Sequence, residues 1–288
     1  MKKYLVIALS FVLGAAIAVG GTLAYLTSED SDVNVMVLGN VKIEQLEYER
    51  VVDDNGNWTA STTQDRYTYY PDLLQVFTQN KPLYPAVYKD GRVKWDDRNG
   101  SENPSGEGSH QQSWGEIGAS GSNQLFDDSV KNVQDKFVFV KNTGNTDAYV
   151  RTIFAFEAGT MTIRDVAEDH KLHTNINDNH WTAIEWVNDY VTVDGVRYVV
   201  GSVVYKGPTS NPTGILAPGK ISYPSLLQVF LDPTTTNEDC ASFGETYDIL
   251  VLSQAVQAAG FDNATEALNE AYGVVDTTSA ATWLATVA

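Results

Sequence analysis

Cysteine is nearly absent from this chain. Cys240 is the only one in 288 residues, so no intrachain disulfide can form and the fold must be held by its apolar core. A chain of this length is able to bury a large one. Basic residues are also scarce: 19 Lys and Arg stand against 37 Asp and Glu, a formal charge of −18. Phosphate backbones are bound through basic footprints. None is present here, so no nucleic-acid partner is expected, and an anionic membrane surface is a poor one. Helix signals are few. The Gly-x-Ser-x-Gly elbow of a serine hydrolase and the His-Glu-x-x-His helix of a zinc protease are both missing.

The chemistry that is left is thin. Four histidines occur, His110, His170, His173 and His180. His170 and His173 lie close to Asp165, Glu168 and Asp169, a segment that reads as a solvated charged loop or as a weak metal site. The Asp53–Asn57 stretch has the composition of a calcium loop without the bidentate glutamate that closes one, and reads as a turn. Asp127-Asp128 reads as a solvated face. No catalytic residue, resident metal or cofactor is expected; an acidic coat can attract divalent cations weakly. Fifteen Tyr and six Trp suit strand faces, where aromatics pack well, or a stacking platform for sugars.

The N-terminus is the most informative stretch. Lys2 and Lys3 precede an uncharged apolar run over 4–20, and Thr22-Leu23-Ala24 ends it with small residues. This is the layout of an export signal, with cleavage between Ala24 and Tyr25. The alternative is an uncleaved membrane anchor. Cleavage removes two lysines and leaves 17 basic against 37 acidic residues, a charge of −20. The membrane is then a partner only before the signal is removed.

The rest reads as strands. Val33, Val35 and Val37 alternate with polar or flexible neighbours, the period of two that marks one apolar strand face. Val41 and Ile43 continue it. The phase then slips before Leu46 and Tyr48, which predicts a bulge or a bend. Asp90-Gly91 and Asp194-Gly195 each place a glycine where a two-residue hairpin needs positive φ. Asn142–Asn145 predicts a third hairpin, between Phe137–Val140 and Ala148–Phe156. Those two segments are apolar on both faces and predict central strands of a sandwich. Residues 97–123 predict a long exposed loop. Asn263 predicts an N-cap for a short helix over Ala264–Tyr272 that stops at Gly273. The segment Tyr70-Pro71-Asp72-Leu73-Leu74-Gln75-Val76-Phe77 recurs as Tyr223-Pro224-Ser225-Leu226-Leu227-Gln228-Val229-Phe230, either as two equivalent strands or as a duplicated half. The expected layout is a signal peptide over 1–24, an N-terminal segment over 25–40, a β-sandwich domain over 41–273 and a flexible tail over 274–288.

Three stretches resemble a known family. Gly20-Gly21-Thr22-Leu23-Ala24-Tyr25-Leu26-Thr27, with Val33 to Ile43 behind it, is similar to the export segment of proteins cut by the SipW-type signal peptidase. These include the TasA/camelysin type of biofilm matrix fibre protein. Lys136 to Gly144, running on to Ala148–Arg151, resembles the family's central hairpin. Leu216–Gly219, Tyr247–Ile249, Ala258–Phe261 and Ala264–Gly273 resemble the C-terminal half of exported members. The resemblance touches about a third of the chain and adds little over 50–130 and 157–215. It implies an all-β, jelly-roll-like β-sandwich with long loops and a short C-terminal helix. It also implies that signal removal frees a donor strand bearing Val33, Val35 and Val37. That strand would complete the sandwich of a neighbouring copy or a related matrix protein. The metalloprotease label borne by camelysin-like relatives does not carry over, because the zinc helix is missing.

Three functions are therefore in view. The first is a secreted structural protein of a bacterial matrix or cell surface, polymerising by strand donation. The second is a surface adhesin or glycan-binding module using the 97–123 loop with Trp95 or Trp114. The third is a metal-dependent secreted hydrolase built on His170 and His173.

Overall fold

The computed structural model describes residues 27–30, 41–51, 74–79, 81, 83–88, 111–113, 124–126, 130–168, 170–208, 212–243 and 247–287. Among them, the first eight strands are β1 (Thr27–Asp30), β2 (Ile43–Arg50), β3 (Leu74–Val76), β4 (Val87–Tyr88), β5 (Gln111–Ser113), β6 (Gln124–Phe126), β7 (Val130–Lys131) and β8 (Gln134–Asp135). The long central strands β9 (Phe137–Asn142) and β10 (Ala148–Glu157) follow. Next come α1 (Ile163–Ala167), β11 (Leu172–Ile176), β12 (Glu185–Trp186), β13 (Val191–Val193), β14 (Val196–Val204), β15 (Ile215–Leu216) and β16 (Leu226–Leu231). The chain closes with α2 (Asn237–Ala241), β17 (Ile249–Gln257), α3 (Ala264–Tyr272) and α4 (Thr277–Leu284).

The protein is mostly antiparallel β-sheet with a few short helices. The largest sheet runs β1-β17-β10-β14-β12, with β13 also on β14 and β15 on β10. β3-β2-β9 and β11-β16-β8 form two further sheets. They lie against each other, because Ser222 N and Ser225 N donate to Val140 O and Val138 O of β9, and Lys136 N to Leu227 O. One apolar cluster draws on both groups: Val138 and Val140 of β9, Phe154 and Phe156 of β10, Leu226 and Val229 of β16, Val251 and Ala255 of β17. Each large side chain fully buried there contributes about 1.5–3 kcal/mol of transfer free energy. A second cluster, with Ile153, Val200 and Leu252, sits under α4, and a third, with Tyr149 and Val256, sits under α3. The two helices therefore cover the other face of the large sheet.

Much of this follows from the sequence pattern. Phe137 to Val140 and all of β10 are buried, as strands apolar on both faces must be. Asp194 (φ 47°) and Gly195 (φ 86°) turn the β13–β14 hairpin, the two positive angles of a type I′ turn. Asn263 caps α3 through Glu266 N, and Gly273 ends it at φ 82°.

Three expectations are corrected. β9 and β10 do not form a hairpin: β9 pairs with β2 and β10 with β14, β15 and β17. Two strands apolar on both faces each need cover on both sides: β10 takes the middle of the large sheet, and β9, last in the order β3-β2-β9, meets the segment before β16 along its other edge. Asn142 fixes the crossing, donating from Nδ2 to Thr146 O and Leu216 O and accepting from Gly144 N. Second, β2 carries no bulge, since its pairing with β9 runs without a break from Ile43↔Asn142 to Tyr48↔Phe137. The phase slip is a change of apolar face. Ile43 joins the inter-sheet cluster, while Leu46 and Tyr48 pack with Phe137, Phe139, Leu74 and Leu227 on the opposite face. Third, residues 277–284 of the expected flexible tail form helix α4. Asp276 caps α4 by accepting from Thr278 N and Ser279 N, and Ala280 and Leu284 are fully buried.

The repeated segment forms two strands that flank the β2–β9 pair. β3 lies outside β2, and the second copy lies along β8 and β9. In each copy the glutamine donates to the carboxylate opposite it, Gln75 to Glu49 (2.7 Å) and Gln228 to Asp135 (2.8 Å). Leu74 and Leu227, equivalent positions of the two copies, meet in one cluster.

Candidate functional site

The outer edge of β17 carries the N-terminal strand. β1 runs antiparallel to it, Thr27 opposite Val256 and Asp30 opposite Ser253. A strand edge is a row of unpaired N–H and C=O groups and invites another strand; here the chain's own N-terminal segment takes that place. β1 begins two residues after Tyr25. β17 itself spans Ile249–Gln257.

Two side chains donate to carbonyls of β17. Tyr272 of α3 donates its hydroxyl to Ala255 O (2.8 Å). Gln45 of β2 donates from Nε2 to Val251 O (3.4 Å). Ser253 Oγ donates to Gln45 Oε1 (2.8 Å) and holds the amide in place. Gln45, Ser253 and Gln254 are buried, and buried polar groups of this kind hold their geometry through hydrogen bonds.

Beyond Gln45 the inward face of β2 turns from apolar to charged, and a polar cleft of about 230 Å³ opens. Glu47, Phe77, Lys81, Lys136 and Asp248 line it, with Tyr247 and the first residues of β17, Ile249 to Val251. Lys136 pairs with Glu47, and Lys81 pairs with Glu49. Both ammonium groups lie over the Phe77 ring, at 4.3 Å and 5.4 Å from its centre, a cation–π arrangement. At the rim, Glu157 accepts from Asp248 N (3.0 Å). Burial pushes the Glu157 carboxyl above its ordinary range; the Asp248 amide opposes this and the Asp248 charge adds to it. Tyr198, buried beneath these acids, is pushed up to about 12 by burial and by the charges of Asp248, Glu157 and Asp194.

A buried polar network supports the other face of β2. Arg50 forms a bidentate pair with Asp135 through Nε (2.6 Å) and Nη2 (2.8 Å), and Gln228 also donates to Asp135. Arg151 does similar work beneath the helices. It donates to Gln254 Oε1 (2.7 Å), Asn269 Oδ1 (3.1 Å) and Gly273 O (3.1 Å), and its guanidinium lies 5.3 Å from the Trp283 ring centre. A cation at the C-terminal end of α3 complements the helix dipole.

The three described histidines do not converge. His173 is buried on β11, its Nε2 at 2.9 Å from Asp232 Oδ2 and its ring stacked on Phe230. His170 is exposed near Glu168 (3.6 Å). His180 is buried against the Tyr223 ring, with Nδ1 at 3.1 Å from Gly207 O. Among the described residues no cluster of three or more His, Cys, Asp or Glu is able to hold a metal. Nor is any helix among them long and apolar enough to cross a membrane. The Asp232 carboxyl lies below its ordinary range: burial raises it, but hydrogen bonds from His173 and Thr234 outweigh that. Cys240 is half-buried in α2, and burial pushes its thiol up.

Ala24, Tyr25, Val33, Val35, Val37, Asp53–Asn57, Trp95, His110, Trp114 and Asp127-Asp128 lie outside the described residues. Gln45 and Glu47 did not stand out in the sequence, and Phe77 and Lys136 entered only as members of the repeat and of the stretch resembling the family's central hairpin, with no sign that they share a cleft. The one signal for the cleft was the phase slip in β2, which marks where that strand's inner face becomes polar. No family model, no curated protein and no solved structure matches this chain.

Proposed function

We propose that this protein is an exported structural subunit of a bacterial matrix or cell surface, assembled by N-terminal strand donation. The observation that carries the reading is the placement of Thr27–Asp30 on the free edge of β17, directly behind the export boundary. The fold in this reading is a jelly-roll-like β-sandwich whose two layers share the cluster of β9, β10, β16 and β17 side chains. A SipW-type peptidase cuts between Ala24 and Tyr25 and frees the strand. A single copy closes its own β17 edge with β1. In the polymer the same edge takes β1 of a neighbour, exchanging one identical element for another. Backbone hydrogen bonds supply the affinity, as in other cases of strand addition. Head-to-tail exchange whose rotation does not close into a ring gives a filament. The resemblance at Gly20–Thr27 supports the same reading.

The test uses two chains, one beginning at Tyr25 and one lacking residues 25–38. Electron microscopy and sedimentation should show filaments from the first and single copies from the second. Filaments of equal number from both, or none from either at high concentration, would overturn the proposal.

A further inference from the structure

The last rung between β10 and β17 is not made by two backbones. Past Phe156 and Ile249, the next opposed residues are Glu157 and Asp248. Glu157 N donates to Asp248 O (3.0 Å), as an antiparallel pair requires. The return bond is different: Asp248 N donates to the Glu157 side chain, at Oε2 (3.0 Å). Half of this rung therefore depends on a carboxyl that takes up and loses a proton. The rung closes the end of β17 whose first residues, Ile249 to Val251, line the cleft.

The surroundings make this carboxyl costly to ionise. Glu157 is 9% exposed, and Tyr198, buried on β14, is its cross-strand neighbour. Asp248 and Tyr247 lie near it on the approach to β17. Asp194, in the β13–β14 turn, adds a negative charge beside Tyr198. Arg197, next along β14, aims its guanidinium away, at Gly159 O (2.6 Å) and the Tyr190 ring (4.5 Å). Helix α4, which packs with Tyr198, has no charged side chain between Thr277 and Leu284. We infer that Glu157 is a proton-operated latch: neutral, it holds the entry of β17 against β10, and ionised, it lets that entry and one wall of the cleft open. The sign follows from linkage. Burial raises the folded carboxyl above its ordinary range, opposed by the Asp248 amide and helped by the Asp248 charge. Opening returns the group to water and to that range. The closed rung is thus favoured fully below the ordinary range, and the advantage is lost as pH rises through the folded value. The latch uses no residue of β1, so it stands whether or not the chain polymerises.

Hydrogen exchange read by NMR in the full chain tests this, with the protection of the Asp248 and Leu250 amides corrected for intrinsic rates near pH 4 and pH 7. The amides of Val199–Val203 in β14 report whole-chain unfolding and serve as the reference. Relative to them, the parent should protect Asp248 and Leu250 less at pH 7 than at pH 4. Glu157→Gln keeps an acceptor that does not ionise, so protection should be high at both and the pH dependence gone. Glu157→Ala removes the acceptor and should lower Asp248 protection by about two- to tenfold at pH 4, the ratio for one ordinary hydrogen bond. Level protection in the parent overturns the inference, and so does a pH dependence that persists in Glu157→Gln. The carboxyl carbon shift of Glu157 gives a second readout in the parent alone. Its titration midpoint should coincide with the change in protection, and a midpoint elsewhere overturns the latch even where a variant fails to fold.

Discussion

Arg50 and Asp135 meet with their side chains almost wholly out of water, 0% and 1% exposed. Removing one member of such a pair strands the other charge, and the cost is about 3–5 kcal/mol. Arg50→Ala should therefore lower stability in urea by about that much, while Arg50→Met with Asp135→Leu should recover most of it. A loss under 1 kcal/mol, by the same comparison, would mean that water reaches the pair. Charge also sets the response to acid. Asp239 sits at about 2, held down first by its hydrogen bond from Lys171 and then by the Thr236 amide. A carboxyl whose folded value is depressed stabilises the fold above its unfolded value, near 4, and loses that contribution as pH falls toward 2. Asp232 is shifted in the same direction. Glu157 is shifted the opposite way, so its share of stability falls as pH rises past the ordinary carboxylate range. Glu157→Gln should thus raise the melting temperature at pH 7 and lose that advantage near pH 4. Melting curves across this range check both signs, and an unchanged pH profile in Asp239→Asn would contradict the first.

At the scale of elements, α4 gives the sharpest contrast between pattern and packing. Residues 274–288 are small and weakly apolar, and a solitary helix so short is not stable in water. What holds it is tertiary: the Asp276 cap, the burial of Ala280 and Leu284, and the guanidinium of Arg151 beside Trp283. Leu284→Ala should cost about 2–5 kcal/mol, as buried leucine truncations do. Arg151→Ala should raise amide exchange in both α3 and α4, because one side chain serves both; unchanged exchange would show that the helices dock without it. The same contrast explains what the sequence made legible. Hairpin β13–β14 and helix α3 are set by local chemistry, Asp194-Gly195 in one case and Asn263 with Gly273 in the other, and both appear where the residues placed them. The β9–β10 expectation failed because a turn signal says that the chain reverses, not that its two arms pair. The cleft was hidden for a related reason. Glu47, Phe77, Lys81 and Lys136 are brought together from β2, the segment after β3 and the residue between β8 and β9, and no spacing in the sequence joins them. The change of face in β2 was visible, but its cause lay in a neighbouring strand.

For the whole molecule, charge and edge strands act against each other. The chain from Tyr25 on carries −20, and like charges repel copies over about 10 Å at 0.1 M salt. Assembly by strand exchange should therefore speed up with added salt, which light scattering follows; a rate independent of salt would place assembly outside the reach of this repulsion. In the proposed polymer the β17 edge supplies the attraction, and β1 is the element seated on it in a single copy. The most direct measurement mixes two chains that begin at Tyr25, each with Cys240→Ser, one carrying Thr27→Cys and the other Val256→Cys. Strand donation predicts that oxidised filaments yield disulfides joining the two kinds of chain at these positions. Filaments in which that bond stays at the level seen for unassembled copies would contradict it.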